Sequence, residues 1–402
     1  MMLGTRAGIL PVIAAATLFQ SGNGLMLALL PLRMQAEGLS ATAIGSVATA
    51  YGLGFVTGSV AAPRLVRRVG HIRAFTALAA LLAVVALGFS QAGGTAAWIA
   101  LRALSGVCLA GLFTVVEAWI NLRSLNATRG RAVSIYMVAT KIALMLSPLS
   151  IGFGEIGGNG LFMLTAALFM LSLLPVTVAP NEAPAAPRTA RLRLGYLYAV
   201  APSAVIGCFA SGLLSGPVVA MAPLYGVKVG LSAEMAAVLL VALQAGNLVL
   251  QWPLGWLSDR IDRRAVIAGV GVGAALASMA IAGLPASLGP LVLPLLFAAW
   301  GGCALCLYAL SIAHGCDRVR PARMVTMISG LLSAWAAGAM IGPLPAAALM
   351  DFVGPSALFL YAAVIAGGMC AFVTIRMLQR GRPIGKDRRV RVEAVVARLA
   401  DH

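Results

Sequence analysis

Three charged side chains fall inside long apolar runs of the sequence, where a charge requires a chemical reason. Glu117, Arg102 and Lys141 each lie in a stretch that is otherwise almost free of charged residues. An ionisable residue in the middle of a membrane helix costs about 2.5–3.5 kcal/mol on insertion scales. Residues retained at that cost line substrate or ion pathways, or relay protons. These three residues are therefore the first candidates for the chemistry of the chain.

Glu117 and Lys141 lie at similar depths in two consecutive apolar segments. Counted from the same side, Glu117 is roughly six residues deep and Lys141 about ten, or about 9 Å and 15 Å at ~1.5 Å per helical residue. A lysine side chain spans that gap if the helices are neighbours, so we hypothesise that the two residues pair. In a functional interpretation Glu117 takes up and releases a proton while Lys141 stabilises its carboxylate. In a structural interpretation the two form a permanent, neutralised ion pair.

Arg102 lies about six residues from the other end of the segment that holds Glu117. A long cationic side chain at that depth can extend to the membrane interface, or it can face an internal cavity. Uncharged polar residues add weaker candidates for the same cavity, with hydrogen bonding between helices as the alternative for each. Gln244 and Asn247 share one helical face by their spacing. The full set of cavity candidates is Gln20, Asn23, Tyr51, Tyr136, Gln244, Asn247 and Tyr308.

The composition identifies the elements that position these residues. Of the 402 residues, 61% are hydrophobic and 10% are charged, whereas globular chains are roughly 45–50% apolar and about 25% charged. The net charge of +17 is distributed in short bursts between apolar runs, unlike the clustered basic face of a nucleic-acid-binding protein. The sequence therefore predicts an all-α membrane protein. With no nucleotide-binding loop or catalytic triad, we expect neither an enzyme nor an ATP-driven pump, and no nucleic-acid partner.

A helix needs roughly 20 apolar residues to cross about 30 Å of hydrocarbon. The first apolar run lacks an obvious cleavage site, so we expect a membrane helix there and not a signal peptide. Cutting the chain at its polar bursts predicts twelve spans, with cores at 9–32, 42–63, 74–91, 96–121, 132–153, 160–179, 196–224, 235–257, 265–284, 290–313, 324–349 and 355–377.

The basic residues also predict an orientation. If the N-terminus is cytoplasmic, 25 of the 29 lysines and arginines fall on the cytoplasmic side, and only Arg33 and Lys228 fall opposite. The positive-inside rule then places both termini in the cytoplasm. We expect a multi-pass protein of the bacterial inner membrane, in contact with the lipid bilayer and monomeric.

The two halves of the chain repeat one another at an offset of 192 residues. Each repeat has six spans, an even number, so both insert with the same orientation. We predict an N-terminal six-helix bundle at 1–179, a cytoplasmic linker at 180–195, a C-terminal bundle at 196–378 and a basic cytoplasmic tail at 379–402. The tail is either a short amphipathic helix on the membrane or a solvated topology anchor. The matched positions are Pro31 with Pro223, Gly38-Leu39-Ser40 with Gly230-Leu231-Ser232, Gly54 with Gly246, and Arg68 with Arg260.

A ten-residue motif in the second half resembles the signature of the major facilitator superfamily. The family pattern Gly-x-Leu-x-Asp-Arg-x-Gly-Arg-Arg is similar to Gly255–Arg264, with Asp262 in place of glycine. The first-half copy is degenerate, because Arg67 stands where the motif has aspartate. The resemblance implies two six-helix halves and a charge-paired latch on the cytoplasmic side. The latch residues it implies are Asp259, Arg260, Arg263 and Arg264, with Arg67, Arg68 and Gly70 in the first half.

Other stretches of the sequence support this resemblance. Arg102–Gly106 is similar to an Arg-x-x-x-Gly motif of family members thought to couple protons. The stretches 101–117 and 302–308 are similar to the YcaD-like bacterial branch. Some family members move copper, and soft ligands suit Cu(I), but Cys303 and Cys306 lie in a helix dense with glycine and alanine. We therefore expect no metal site and no cofactor.

These observations predict a secondary transporter that moves a small organic solute by alternating access, with a central site between the halves. Proton coupling is expected from Glu117 and Arg102. Two cations against one carboxylate favour an anionic or amphipathic solute. An uncoupled facilitator is one alternative, and a transporter-derived sensor or assembly factor without flux is another.

Overall fold

The structure is a computed structural model that describes residues 2–123, 129–177, 194–283, 291–320 and 323–380. Within these ranges twelve helical segments are long and apolar enough to cross a membrane. A short helix, Leu194–Val200, precedes the seventh of them. We number the twelve α1 (Met2–Ala36), α2 (Ala41–Val69), α3 (His71–Phe89), α4 (Thr95–Arg123), α5 (Arg129–Leu146, extended by a 3-10 turn at Ser147–Phe153), α6 (Gly160–Leu171 and Leu173–Thr177), α7 (Pro202–Lys228), α8 (Ala233–Arg260), α9 (Arg263–Gly283), α10 (Val292–Ala304 and Cys306–Cys316), α11 (Met324–Ile341 and Pro343–Val353) and α12 (Ala357–Arg380).

The predicted fold class is confirmed, because each of the twelve predicted spans overlaps one of these helices. Nearly all of the predicted linker at 180–195 and tail at 379–402 lies outside the described residues. The domain boundaries and the orientation of the termini stay predictions.

The turns after α1 and α7 show the repeat in atomic detail. Gly38 and Gly230 both have positive φ, 77° and 94°, a conformation that glycine adopts without steric cost. Each turn is closed by a backbone hydrogen bond of 3.0 Å, from Leu39 to Met34 and from Leu231 to Gly226. The serine that follows each turn then caps the next helix with its hydroxyl, which accepts from Ala43 N in α2 and Met235 N in α8.

Matched glycines bring matched helix pairs into close contact. A Cβ on Gly54 of α2 would meet the carbonyl of Ala103 in α4, and a Cβ on Gly246 of α8 would meet the carbonyl of Ala298 in α10. Small residues at such crossings allow helix backbones to approach closely. The sequence repeat therefore marks an equivalent helix crossing in each half.

The bundle has two faces that differ in charge. The basic face carries the turns at 69–71, 261–262 and 317–320, with Arg67, Arg68, Arg263 and Arg318 near them. The opposite face carries the turns at 37–40, 154–159, 229–232 and 354–356. These two names are used below.

The two halves meet from mid-depth to the opposite face. Contacts join α1 to α7, α2 to α11 and α5 to α8. Gly45 of α2 packs on Ala347 of α11, and Gly52, deeper in α2, packs on Met340. At the opposite face itself, the carboxylate of Asp351 in α11 reaches the first residues of α2. These contacts close the opposite face of the bundle.

Candidate functional site

Lys141 of α5 reaches across the interface between the halves at mid-depth. Its ammonium donates hydrogen bonds to Asn247 Oδ1 and, at 3.1 Å, to Gln251 Oε1, both on α8. Asn247 is buried and its amide in turn donates to the Cys306 Sγ atom of α10 at 3.4 Å. One cation thus connects the first half to two helices of the second half, through groups that carry no charge.

This arrangement corrects the hypothesis that Lys141 pairs with Glu117. Among the ion pairs within the described residues, none joins these two side chains, and the lysine has amide partners instead. Glu117 and Lys141 lie on consecutive helices, α4 and α5, as predicted, but the flexible side chain of Lys141 turns toward α8. The depth of a residue, counted from the end of its predicted helix, does not indicate which neighbouring helix its side chain faces.

Glu117 of α4 is exposed. It is within electrostatic range of Tyr136 in α5 and Tyr308 in α10. Tyr136 is buried, while Tyr308 packs on Trp335 of α11 with ring centroids 5.6 Å apart. Three of the predicted residues, one carboxylate and a tyrosine from each half, are therefore close enough for their charges to interact.

Arg102 is placed differently, in the closed part of the bundle toward the opposite face. Only 5% of its surface is exposed, so the side chain does not extend to the membrane interface. Its Cζ lies 4.3 Å from the ring centroid of Tyr51 in α2, and Nη1 has no hydrogen-bond partner among the described residues. Cation–π contacts contribute roughly 0.5–2 kcal/mol, less than the several kcal/mol needed to bury an ion.

Gln20 and Asn23 of α1 make a local contact. Asn23 Nδ2 donates to Gln20 Oε1 at 3.1 Å, and both side chains are buried. Asn23 Oδ1 has no partner among the described residues. The pair follows the i, i+3 spacing of one helix, so this bond lies within α1 and not between helices. Gln244, one turn before Asn247 on α8, is half-buried.

The motif at 255–264 forms a charge cluster on the basic face of the second half. Arg263 pairs with Asp259 and with Asp317, each at 2.6 Å, and also donates to Ser258. The guanidinium of Arg260 stacks on Trp256, with Cζ 3.7 Å from the ring centroid. In the first half, Arg67 and Arg68 are exposed, and Gly70 has φ 84° at the turn into α3. The described ion pairs of this motif join helices of one half, not the two halves.

Asp262, which replaces the motif glycine, has a structural role in this cluster. It accepts from the backbone and the guanidinium of Arg264, with a closest contact of 2.9 Å. Partial burial disfavours the charged carboxylate, but the hydrogen bonds from Arg264 outweigh it, and the pKa of Asp262 falls below its ordinary value. This departure from the family pattern is therefore compensated by a neighbouring arginine.

The sequence analysis missed the polar contact that closes the opposite face. Asp351 of α11 accepts from Ala41 N at 2.9 Å, and from Thr42 N and Oγ1 at 2.7 Å each. Lys228 of α7 is 3.8 Å away. The available signal was an aspartate just beyond the predicted core at 324–349, but nothing in the sequence indicated that its partner is a helix start in the other half.

Within the part of the chain that the structure describes, no group of histidine, cysteine or acidic residues could hold a metal ion. Cys306 serves instead as a hydrogen-bond partner of Asn247.

Comparisons with known proteins agree on the family. The description "Major Facilitator Superfamily" belongs to the family model that matches residues 12–332. The chain is 25% identical over 356 residues to an uncharacterized MFS-type transporter, YcaD, of Salmonella dublin, covering 88% of this chain and 90% of that protein. It is 26% identical over 386 residues to an uncharacterized MFS-type transporter of Yersinia pestis, covering 92% and 95%.

Solved structures show the same fold at low identity. The nucleoside transporter NupG matches with a TM-score of 0.75 and 14% identity, covering 93% of this chain and 99% of that one. A bacterial homologue of the human lysosomal transporter Spinster, in an inward-facing unoccupied conformation, matches with 0.73 and 14%, covering 92% and 95%. A D-xylose-proton symporter matches with 0.69 and 14%, covering 91% and 96%. Since the family model spans most of the chain, the protein belongs to the Major Facilitator Superfamily.

Proposed function

We propose that this protein is a proton-coupled secondary transporter for a small organic anion. It would lie in a bacterial inner membrane with its basic face toward the cytoplasm. The orientation is supported by the 25 to 2 distribution of basic residues. With that orientation the closed opposite face is the outer one, and the structure corresponds to an inward-facing state.

The observation that carries the proposal is the contact of Lys141 with Asn247 and Gln251. Amide oxygens satisfy the ammonium without neutralising it, and charge-assisted hydrogen bonds to a carboxylate are stronger than those to a neutral acceptor. An anionic solute that enters between the halves can therefore replace the amides. Because the lysine belongs to α5 and the amides to α8, this exchange would alter the contact between the halves, as alternating access requires.

Glu117 is the group proposed to carry the proton. Its carboxylate is exposed and within electrostatic range of Tyr136 in the first half and Tyr308 in the second. Protonation removes a negative charge from the space that the anionic solute occupies. Proton uptake at Glu117 and solute binding at Lys141 are therefore electrostatically coupled.

The proposal is tested in two steps with the purified protein. A library of organic acids is first screened by thermal stabilisation, because a ligand of the folded state raises its apparent stability. Hits are then assayed for counterflow and for uptake driven by a pH gradient in proteoliposomes. Gradient-driven uptake of an organic acid supports the proposal. Flux that is indifferent to the pH gradient indicates an uncoupled facilitator, and binding without counterflow indicates a sensor; either result contradicts proton-coupled transport.

A further inference from the structure

A small cavity that is partly open on one side lies beside Arg102, away from the site at Lys141. It measures about 30 Å³ and is lined by α1, α2, α4 and α7, including Leu30, Val47 and Ala220. Every lining residue other than Arg102 is apolar. Ala220 belongs to the second half, so the cavity is completed only where the two halves meet.

The guanidinium of Arg102 lacks an acceptor for its buried Nη1 atom. Among the described residues, its one charge contact is the face of the Tyr51 ring. Arginine cannot relieve this situation by losing its proton, because the guanidinium remains charged in proteins. A buried charge is normally paired or hydrogen-bonded. An anion or a solvent molecule in the cavity beside Arg102 would supply the missing partner.

The size of the cavity restricts the occupant. A cavity needs about 10–15 Å³ to hold one water molecule, so about 30 Å³ admits a water or a monoatomic anion. The carbon chain of an organic acid would extend out of the cavity through its open side. Water would satisfy a donor but leave the charge of Arg102 uncompensated, in walls that are apolar.

We propose that this cavity binds a monoatomic anion of the halide class, held by Arg102 and bounded on the side of the second half by Ala220 of α7. The site is separate from that of the transported solute: Arg102 is seven residues, about 11 Å, from the start of α4, while Lys141 is at mid-depth. Since residues of both halves line the cavity, a bound anion stabilises the conformation that is closed at the opposite face. Opening of that face would release it.

Thermal unfolding of the full-length protein in detergent tests this site without any knowledge of the solute. The unfolding temperature is measured at constant ionic strength while sodium gluconate is replaced by sodium chloride or bromide. A saturable rise of about 2–4 °C with the halides is expected, because a ligand of the folded state stabilises it by mass action. Equal unfolding temperatures in all salts would show that the occupant is water, and the proposal would be wrong.

A pair of variants assigns the effect to this cavity. Arg102→Gln should lose the halide dependence, whereas Arg64→Gln, which removes an exposed arginine from α2, should retain it. A halide effect that persists in Arg102→Gln would overturn the assignment. If Arg102→Gln does not fold, anomalous scattering from crystals of the wild-type protein in bromide gives the answer, since a bromide peak is expected beside Arg102 Nη1. Its absence there would also overturn the proposal.

Discussion

The carboxylate of Asp351 contacts the first turn of α2 through Thr42, which donates from both its backbone nitrogen and its hydroxyl at 2.7 Å. The two residues are in opposite halves of the chain, so this contact, which adds to the cap that Ser40 supplies to α2, joins the two bundles. The unpaired N–H groups and partial positive charge at a helix start favour a carboxylate. This contact would have to break for the opposite face to open.

Removing the charge of Asp351 should favour opening of the opposite face. N-cap contacts contribute about 0.5–2 kcal/mol, so Asp351→Asn should shift the equilibrium between closed and open states by about 2- to 30-fold. Pulsed EPR with labels at the exposed positions Gln91 and Phe352 would report a larger population of long distances. Glu155→Gln removes an exposed carboxylate from the same face and serves as the control. Identical distance distributions in Asp351→Asn and the wild type would refute a latch at this position.

A carboxylate introduced beside Lys141 should hold the halves together at mid-depth. In Asn247→Asp the ammonium would gain an ionic partner in place of the amide oxygen, with stronger hydrogen bonds. We expect a higher unfolding temperature and at least tenfold slower counterflow, because the solute would compete with a fixed carboxylate. Leucine has a similar volume and no hydrogen-bond acceptor, so Asn247→Leu should show neither the higher unfolding temperature nor the slower counterflow. Normal counterflow in Asn247→Asp would argue against Lys141 as the solute-binding cation.

The sequence predicted the helices well because the physical signal for each is local. Apolar length identifies a span, and Gly38 and Gly230 at matched offsets mark equivalent turns. The side-chain contacts were harder to predict, since they depend on tertiary distances. The predicted partner of Lys141 was an acidic residue at similar depth on the preceding helix, but the structure presents amides of α8.

The same distinction explains Arg102 and Asp351. Position along α4 left both an interfacial and an internal placement open for Arg102, and only the packing of α1, α2 and α7 around it shows that it is buried. Asp351 comes just after a predicted apolar segment, where acidic residues without a specific partner are common. Its contact with Thr42 spans 309 positions of the chain, and no sequence periodicity reports a contact of that kind.

Acid should remove the contribution of the Asp262–Arg264 pair to stability. The pKa of Asp262 is lowered by hydrogen bonds from Arg264, which outweigh its partial burial. A carboxyl with a depressed folded-state pKa stabilises the fold above its unfolded value, about 3.9, and this stabilisation is lost as the pH falls through the folded-state pKa. The difference in unfolding temperature between the wild type and Asp262→Asn should therefore be constant from about pH 5 to 8 and shrink below about pH 4. A difference that stays constant down to pH 3 would mean that the charge of Asp262 contributes nothing.

Close helix contact at Gly246 should be sensitive to one added methyl group. In Gly246→Ala the new Cβ would meet the Ala298 carbonyl, and overpacking of this kind typically costs about 1–3 kcal/mol. Gly54→Ala should behave alike at Ala103, because the two crossings are equivalent. Gly269→Ala on α9, where a Cβ meets nothing within 4 Å, should be neutral or slightly stabilising. The unfolding temperatures of Gly246→Ala and Gly54→Ala should therefore lie below that of Gly269→Ala. Equal temperatures would show that the helices at these crossings move apart without a cost in stability.

Glu117→Gln should separate proton coupling from solute binding. Glutamine keeps the shape of the side chain and, like a protonated carboxyl, has one donor group and one carbonyl acceptor, but it does not titrate in the physiological range. Uptake driven by a pH gradient should fall to the background level, while the unfolding temperature and solute counterflow remain close to wild type. Glu234→Gln, at the start of α8 on the opposite face, is the matched control and should keep gradient-driven uptake. Loss of folded protein in Glu117→Gln alone would instead indicate a structural carboxylate, and undiminished gradient-driven uptake would place the coupling proton on another residue.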